Sequence, residues 1–192
     1  FVPLPLKRSQ LLEHDLRKAE SNLTYSSIVP DKGCSVRVGD PAHVEVIEQI
    51  IRETPSEIFD KRVGVTFITT DHPRVQNPMD EHDLAYWTGN EIRLDVNLPV
   101  GKLAHTLRHE LGHSLNVYLM HTLGGVGPVR AWHLKLWKIS QQEGFISGYA
   151  RTLPIENAAE ATRLYLYERM RLMLEYPRTF AELHKVYRGI WE

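Results

Sequence analysis

The sequence predicts an α+β protein, in which a small mixed or antiparallel sheet precedes a helical C-terminal half. Two observations carry this prediction. Strand-like patterns fall between residues 63 and 97, and from residue 100 onward apolar residues recur at helical spacing. The 192 residues, 42% of them hydrophobic, can form the core of one domain. We therefore expect a single domain over 1–192, with N-terminal helices and sheet in 1–99 and the helical part in 100–192.

The first half begins with helical patterns. Apolar residues at helical spacing predict one helix over 8–23 and a second from Val44 to Ile51, which ends near Pro55. The clusters that begin at Asp31 and Gly39 are typical of turns.

Strands are predicted next. The β-branched stretch 63–70 predicts a strand, and 84–87 with 91–97 predicts a hairpin around a three-residue turn. In its second arm Ile92 and Leu94 alternate with polar residues, which predicts one solvated face. Four helices should follow, over 101–121, 128–142, 155–175 and 177–190, with Trp132 and Trp137 in their core.

The composition excludes several classes of protein. With 23 basic and 24 acidic residues the chain has no basic field that would attract nucleic acid. No stretch approaches the roughly 18 apolar residues of a membrane span. Cys34 is the only cysteine, so no internal disulfide can form. The ten histidines are the unusual feature, and they direct the search to metal chemistry.

The segment His109-Glu110-Leu111-Gly112-His113 has the HExxH pattern and lies in a predicted helix. Residues four apart lie about 40° apart around a helix and about 6 Å apart along it, so both imidazoles can reach one zinc ion. Glu110 lies one step around the helix and could act as general base on the metal-bound water. His105 is excluded as a third ligand because its Cα lies about 12 Å along the axis from that of His113.

A third ligand must therefore come from elsewhere. The pattern HExxHxxGxxH is excluded, because Asn116 and Leu119 occupy its last two defining positions. Glu156 and Glu160 lie on one face of a predicted helix, where the first could bind the metal and the second a histidine N–H. The same spacing is also common on solvated helix faces, so the two interpretations stay open on spacing alone. The small side chains of Ala158 and Ala159 would let this helix approach the HExxH helix closely.

These motifs resemble the catalytic domain of the anthrax lethal factor family, which includes the Pro-Pro endopeptidases. The resemblance covers the C-terminal half of the chain. Its matching segments are HELGH at 109–113, QEG at 142–144, YART at 149–152, ENAAEA at 156–161, RL at 163–164 and, weakly, PRTF at 177–180. The sequence departs from the family at Asn157-Ala158, where bulky aromatic residues are usual.

The resemblance implies a zincin fold of the gluzincin type with one catalytic zinc ion. It implies that His109, His113 and Glu156 bind the zinc and that Glu110 is the general base. It also implies that Glu160 accepts a hydrogen bond from a zinc-binding histidine. Tyr149 would donate a hydrogen bond to the oxyanion of the tetrahedral intermediate. Two histidines and one glutamate leave a position for water, as in catalytic rather than structural sites.

The substrate side of the site is predicted from the hairpin and the residues before its turn. Strand 91–97 is expected at the edge of the sheet, where Ile92 and Leu94 would bind an extended peptide by strand addition. Trp87 could line a pocket or pack in the core. Cys34 could hold the metal in a latent enzyme, although an ordinary thiol is the simpler interpretation.

We therefore predict a monomeric zinc endopeptidase that acts on a protein or peptide and is secreted or otherwise delivered outside the cell. One alternative is a catalytically silent binding domain, against which the intact Glu110 argues. A second alternative is a hydrolase of cell-wall peptides or other amides.

Overall fold

The computed structural model describes residues 25–29, 32, 34–38, 40–56, 59, 66–70, 85–87, 91–95 and 98–188. The helix predicted over 8–23 lies outside these residues. The chain divides into two compact units, one comprising 1–51 and 64–106 and the other 52–63 and 107–192. Within the described ranges, no helix combines the length and the apolar character that a membrane crossing requires.

The first unit contains a mixed five-stranded sheet, so the α+β class is confirmed. Its strands have the order β1-β2-β3-β5-β4, and β3 pairs in parallel with both β2 and β5. The hairpins β1–β2 and β4–β5 are antiparallel. The strands are β1 (Tyr25–Val29), β2 (Cys34–Val38), β3 (Thr66–Thr70), β4 (Ala85–Trp87) and β5 (Glu91–Asp95).

The prediction that the strand after the hairpin turn forms the sheet edge is wrong. β5 pairs with β3 on one side and with β4 on the other, so its backbone groups are already used. Ile92 and Leu94 are fully buried, and Arg93, expected on a solvated face, is only 6% exposed. An interior strand has neighbours on both sides, and here both of its faces are largely covered. A peptide therefore cannot add to β5, and neither Ile92 nor Leu94 can contact one.

The hairpin β1–β2 is not among the predicted elements, although the turn cluster predicted at Asp31 falls between its two strands. In β2 the residues Cys34, Val36 and Val38 are buried and alternate with half-buried Ser35 and Arg37. This period of two is that of a strand with one face in the core.

Helix α1 (Pro41–Glu53) follows β2 and confirms the helix predicted at this position. The side-chain oxygen Oδ1 of Asp40 accepts a hydrogen bond from the N–H of Ala42 at 2.9 Å, as expected of a helix N-cap. His43 is buried and its Nε2 lies 3.1 Å from the carbonyl oxygen of Leu98, also in the first unit.

Helices dominate the second unit, and the four predicted ones are present with one correction. The stretch predicted as one helix over 155–175 is two helices, because Glu168 has φ −136° and ψ 42° and leaves the helical conformation. Pro154 and Pro177 start helices, where the missing N–H of proline costs no hydrogen bond. The helices are α2 (Val100–Leu123), which belongs to this unit from Leu107 onward, α3 (Val126–Glu143), α4 (Pro154–Tyr167), α5 (Arg169–Glu175) and α6 (Pro177–Tyr187).

A short connection of two glycines joins α2 and α3. Gly124 and Gly125 have positive φ values of 84° and 121°, and they alone separate α2 from α3, a shorter connector than the sequence suggested.

Helix α6 is capped from outside its own sequence. The carboxylate of Glu143, the last residue of α3, accepts hydrogen bonds from the N–H groups of Arg178 and Thr179 at 2.7 and 2.9 Å.

The core of the second unit lies among these helices. Leu107, Leu111 and Leu115, four residues apart on α2, are completely buried. As predicted, Trp132 is buried, and its ring packs edge-on against that of Tyr187. Trp137 is half-buried and packs on Phe145.

Candidate metal centre

The HExxH segment lies in the middle of helix α2, as the sequence predicts. Because His109 and His113 are four residues apart, their rings leave the helix on the same face. The two Nε2 atoms lie 3.1 Å apart, and the ring planes are nearly perpendicular. Both side chains are mostly buried, with 8% and 14% of their surface exposed.

Glu156, in the first turn of α4, brings a carboxylate to the same point. Its Oε2 atom lies 3.0 Å from the Nε2 of His109 and 3.0 Å from the Nε2 of His113. The three atoms thus form a nearly equilateral triangle. Among the described residues, these three side chains form the group that could hold a metal ion.

The close approach of two helices makes this triangle possible. A Cβ atom built on Gly112 would lie 2.5 Å from the carbonyl oxygen of Ala159 and 3.1 Å from its Cα. Ala158 and Ala159 are buried, and the contact at Ala159 confirms the close helix approach that their small size predicted. Glycine at position 112 therefore lets α2 and α4 meet with almost no side chain between them, directly beside His113 and about one turn from His109 and Glu156.

The residues fit a zinc ion. Ligand atoms at 2.0–2.1 Å from one tetrahedral zinc ion lie roughly 3.3 Å from one another, close to the separations found here. Two imidazole nitrogens and one carboxylate oxygen are also a common donor set of catalytic zinc sites. Without a cation or a proton among them, the lone pairs of these three atoms would repel one another.

Glu160 fixes the orientation of His109. Its Oε1 atom accepts a hydrogen bond from Nδ1 of His109 at 2.7 Å, and its side chain is only 3% exposed. With the proton on Nδ1, the neutral ring presents a lone pair at Nε2, on the side of Glu156 and His113. This is the arrangement by which carboxylates orient metal-binding histidines.

The metal-free cluster holds a proton strongly. Burial lowers the pKa of His109, but the hydrogen bonds to Glu156 and Glu160 outweigh this and raise it to about 9. Burial works against ionisation of both glutamates, yet their hydrogen bonds to the histidines lower the pKa of each to about 2. In the metal-free protein both carboxylates are therefore negative at neutral pH, and the protonated ring of His109 lies between them.

Two further predicted site residues lie beside this group. Glu110 is buried on α2, and its negative charge also raises the pKa of His109. Tyr149, in a single 3₁₀ turn (Tyr149–Arg151) before α4, places its ring edge-on to that of His109 with 5.3 Å between the centroids. Tyr149 is 54% exposed, so it faces solvent next to the candidate metal ligands.

Other residues considered from the sequence lie elsewhere in the described part of the chain. His105, which its distance along the helix excluded as a ligand, is exposed on α2 and is not part of the group. Trp87 lies in β4, whose backbone pairs with β5 at Ile92. Cys34 is buried at the start of β2, where its thiol donates to the carbonyl oxygen of Lys32 at 3.4 Å, and it is not part of the group either.

Three residues around the site have no predicted role. Gly112 is a variable position of HExxH, although a glycine opposite two alanines indicates close helix packing. Arg163 lies in one of the matching segments, which assign it no role, and its guanidinium lies against Glu160. His133, buried on α3, has its pKa lowered to about 4 by burial and by the charge of His113.

No protein-family model matches the sequence, and no curated protein matches it either. The resemblance to the lethal factor family therefore rests on the residues quoted above and remains a prediction.

Proposed function

We propose that this protein is a zinc-dependent endopeptidase with a zincin-like fold of the gluzincin type. One observation carries the proposal, namely the convergence of His109 Nε2, His113 Nε2 and Glu156 Oε2 within 3.0–3.1 Å of one another. Their spacing and chemistry suit one zinc ion with an open position. The order of elements, with a mixed sheet before the HExxH helix and the glutamate on a later helix, supports the same fold.

In this proposal each residue near the zinc ligands has one task. Bound zinc would supply a Lewis acid that polarises the substrate carbonyl and makes water more acidic. Glu110 takes the proton from the attacking water and passes it to the leaving amine. The phenol of Tyr149 donates a hydrogen bond to the oxygen on which negative charge develops. Glu160 keeps the proton of His109 on Nδ1.

The substrate in this proposal is a protein or peptide, and the enzyme acts outside the cell that produces it. Tyr149 is more than half exposed beside the buried ligands, which supports access of a large substrate from that side. The path of the peptide is not along β5, whose two edges are both paired.

Cleavage of a diverse peptide library by the zinc-loaded protein tests the proposal. We expect internal cleavage that a chelator abolishes and that zinc restores. Glu110→Gln provides the matched control, because it retains the shape of the side chain but cannot accept the proton. This variant should bind zinc and cleave nothing.

Each other result would point away from the proposal. A protein that binds zinc but cleaves no peptide would support a silent binding domain. Cleavage confined to cell-wall peptides or to non-peptide amides would support the other hydrolase class. Full activity of Glu110→Gln would refute the role of Glu110.

A further inference from the structure

A row of alternating charges leads from the candidate metal ligands to the surface of the second unit. Glu160 accepts from His109 and lies 3.4 Å from Nη2 of Arg163. The Nη1 atom of Arg163 donates to Oε1 of Glu168 at 2.8 Å. The other carboxylate oxygen of Glu168 accepts from Arg171 at 3.0 Å. Each acid in the row thus lies between two bases.

Arg163 is the buried member of this row that carries a permanent positive charge. Its side chain is 7% exposed, and that of Glu160 is 3% exposed. A buried guanidinium is costly unless carboxylates compensate it, and here its two terminal nitrogens each contact a different one. Among the described residues its Nε atom has no hydrogen-bond partner, so its placement depends on the two glutamates.

Glu168 holds the outer end of Arg163 at the break between α4 and α5. It leaves the helical conformation while its N–H still donates to the carbonyl oxygen of Leu164 at 2.8 Å. The break therefore points a carboxylate back along α4, where Nη1 of Arg163 reaches it. A continuous helix over 155–175 would give position 168 a different direction.

We propose that Arg163 is a positioning residue for the metal site, which acts by fixing the carboxylate of Glu160 against Nδ1 of His109. The planar guanidinium bridges Glu160 and Glu168, so Glu160 cannot rotate away without leaving Arg163 uncompensated. The inference rests on the proposed zinc site but does not require that the protein be a peptidase. Removal of a group that orients a ligand histidine typically costs 10–100-fold in metal affinity.

Zinc affinity of the full chain, measured by competition with a chromogenic chelator, tests this role. Arg163→Met should lower the affinity about tenfold, since it frees Glu160 without removing it. Arg163→Lys should recover part of this loss, because one ammonium retains the charge but cannot bridge both glutamates. The control is Arg171→Met, which removes an arginine from the same row at a half-exposed position and should change the affinity less than twofold.

A double-mutant cycle separates positioning from general destabilisation. If Arg163 acts through Glu160, then Arg163→Met should have little further effect on zinc affinity in the Glu160→Gln background. A merely structural role would lower the stability of both backgrounds alike and leave zinc affinity unchanged. The absorption spectrum of the cobalt-substituted protein gives a second readout, and it should change in Arg163→Met and not in Arg171→Met.

The outcomes distinguish this inference from the proposed function. Wild-type protein that binds no zinc would refute the metal site itself. Zinc affinity that is equal in wild type and Arg163→Met would refute the role of Arg163 alone. If Arg163→Met does not fold, Arg163→Lys and Glu168→Gln decide the question, and unchanged zinc affinity in both would overturn the inference.

Discussion

Replacement of Gly112 by alanine is expected to weaken zinc binding, although alanine is the better helix former. The new Cβ would lie 2.5 Å from the carbonyl oxygen of Ala159, about 0.9 Å closer than an ordinary contact. Alanine gains about 1 kcal/mol of helix propensity, whereas overpacking costs typically 1–3 kcal/mol. We therefore expect a net loss of stability between about 0 and 2 kcal/mol, because backbone atoms cannot yield as a flexible side chain does.

The larger effect should fall on the metal site. To accept the Cβ atom, α4 must move away from α2 and take Glu156 and Glu160 with it. A metal site tolerates errors of about 0.5 Å, so a shift near 0.9 Å should reduce zinc affinity at least tenfold. Competition with a chelator measures the zinc affinity. Urea unfolding measures the stability of the metal-free protein.

Gly101→Ala is the matched control in the same helix, since nothing lies within 4 Å of a Cβ at that position. It should leave zinc affinity unchanged and stability equal or slightly higher. If Gly112→Ala bound zinc as tightly as wild type and were equally stable, the close approach of α2 and α4 would have no part in shaping the site.

Three further predictions test separate parts of the structure. Tyr149→Phe should retain zinc and lose about 10²–10³-fold in kcat, the loss typical when an oxyanion donor is removed. Steady-state kinetics on a cleaved peptide measure this, and an unchanged kcat would exclude Tyr149 as the oxyanion donor. Glu143→Gln should cost about 0.5–2 kcal/mol of stability in urea unfolding, because the N–H groups that start α6 lose a charged acceptor. The control is Gln141→Ala, at an exposed position of α3, and it should cost less than about 0.5 kcal/mol. In the metal-free protein the ring signals of His109 should titrate in NMR spectra near pH 9. Because this pKa is raised in the folded protein, the charged ring stabilises the fold fully below pH 6.5. This contribution to stability is lost as the pH rises through about 9. Zinc affinity should rise over the same interval because the proton and the metal compete for Nε2, and a midpoint near 6.5 would contradict the paired geometry.

The sequence predicted the parts of the site that depend on local spacing. The spacing of four positions from His109 to His113 places two rings on one helix face whatever surrounds the helix. The position of Glu156 could be inferred only with the help of the resemblance, because two glutamates four apart also occur on ordinary solvated helices. The structure brings Glu156 and Glu160 to opposite nitrogens of the His109 ring, which spacing alone could not determine.

The remaining features depend on contacts between distant segments. The edge of the sheet depends on which strands pair. The hairpin with β4 is predicted from the sequence, but nothing within 91–97 shows that β3 lies on the other side of β5. The break at Glu168 is stabilised by ion pairs from Arg163 and Arg171, without the proline or glycine that would mark it in the sequence. The role inferred for Arg163 depends on burial and on two acids from different positions, neither of which the sequence shows.

The zinc content of the purified protein tests the central claim most directly. After equilibration with a small excess of zinc and removal of the free ion, elemental analysis should find about one equivalent in wild type. The variant Glu156→Ala should retain almost none, because two imidazoles from one helix hold the ion poorly without the carboxylate. Wild-type protein that is folded and free of zinc, or Glu156→Ala protein that still holds one equivalent, would contradict the account.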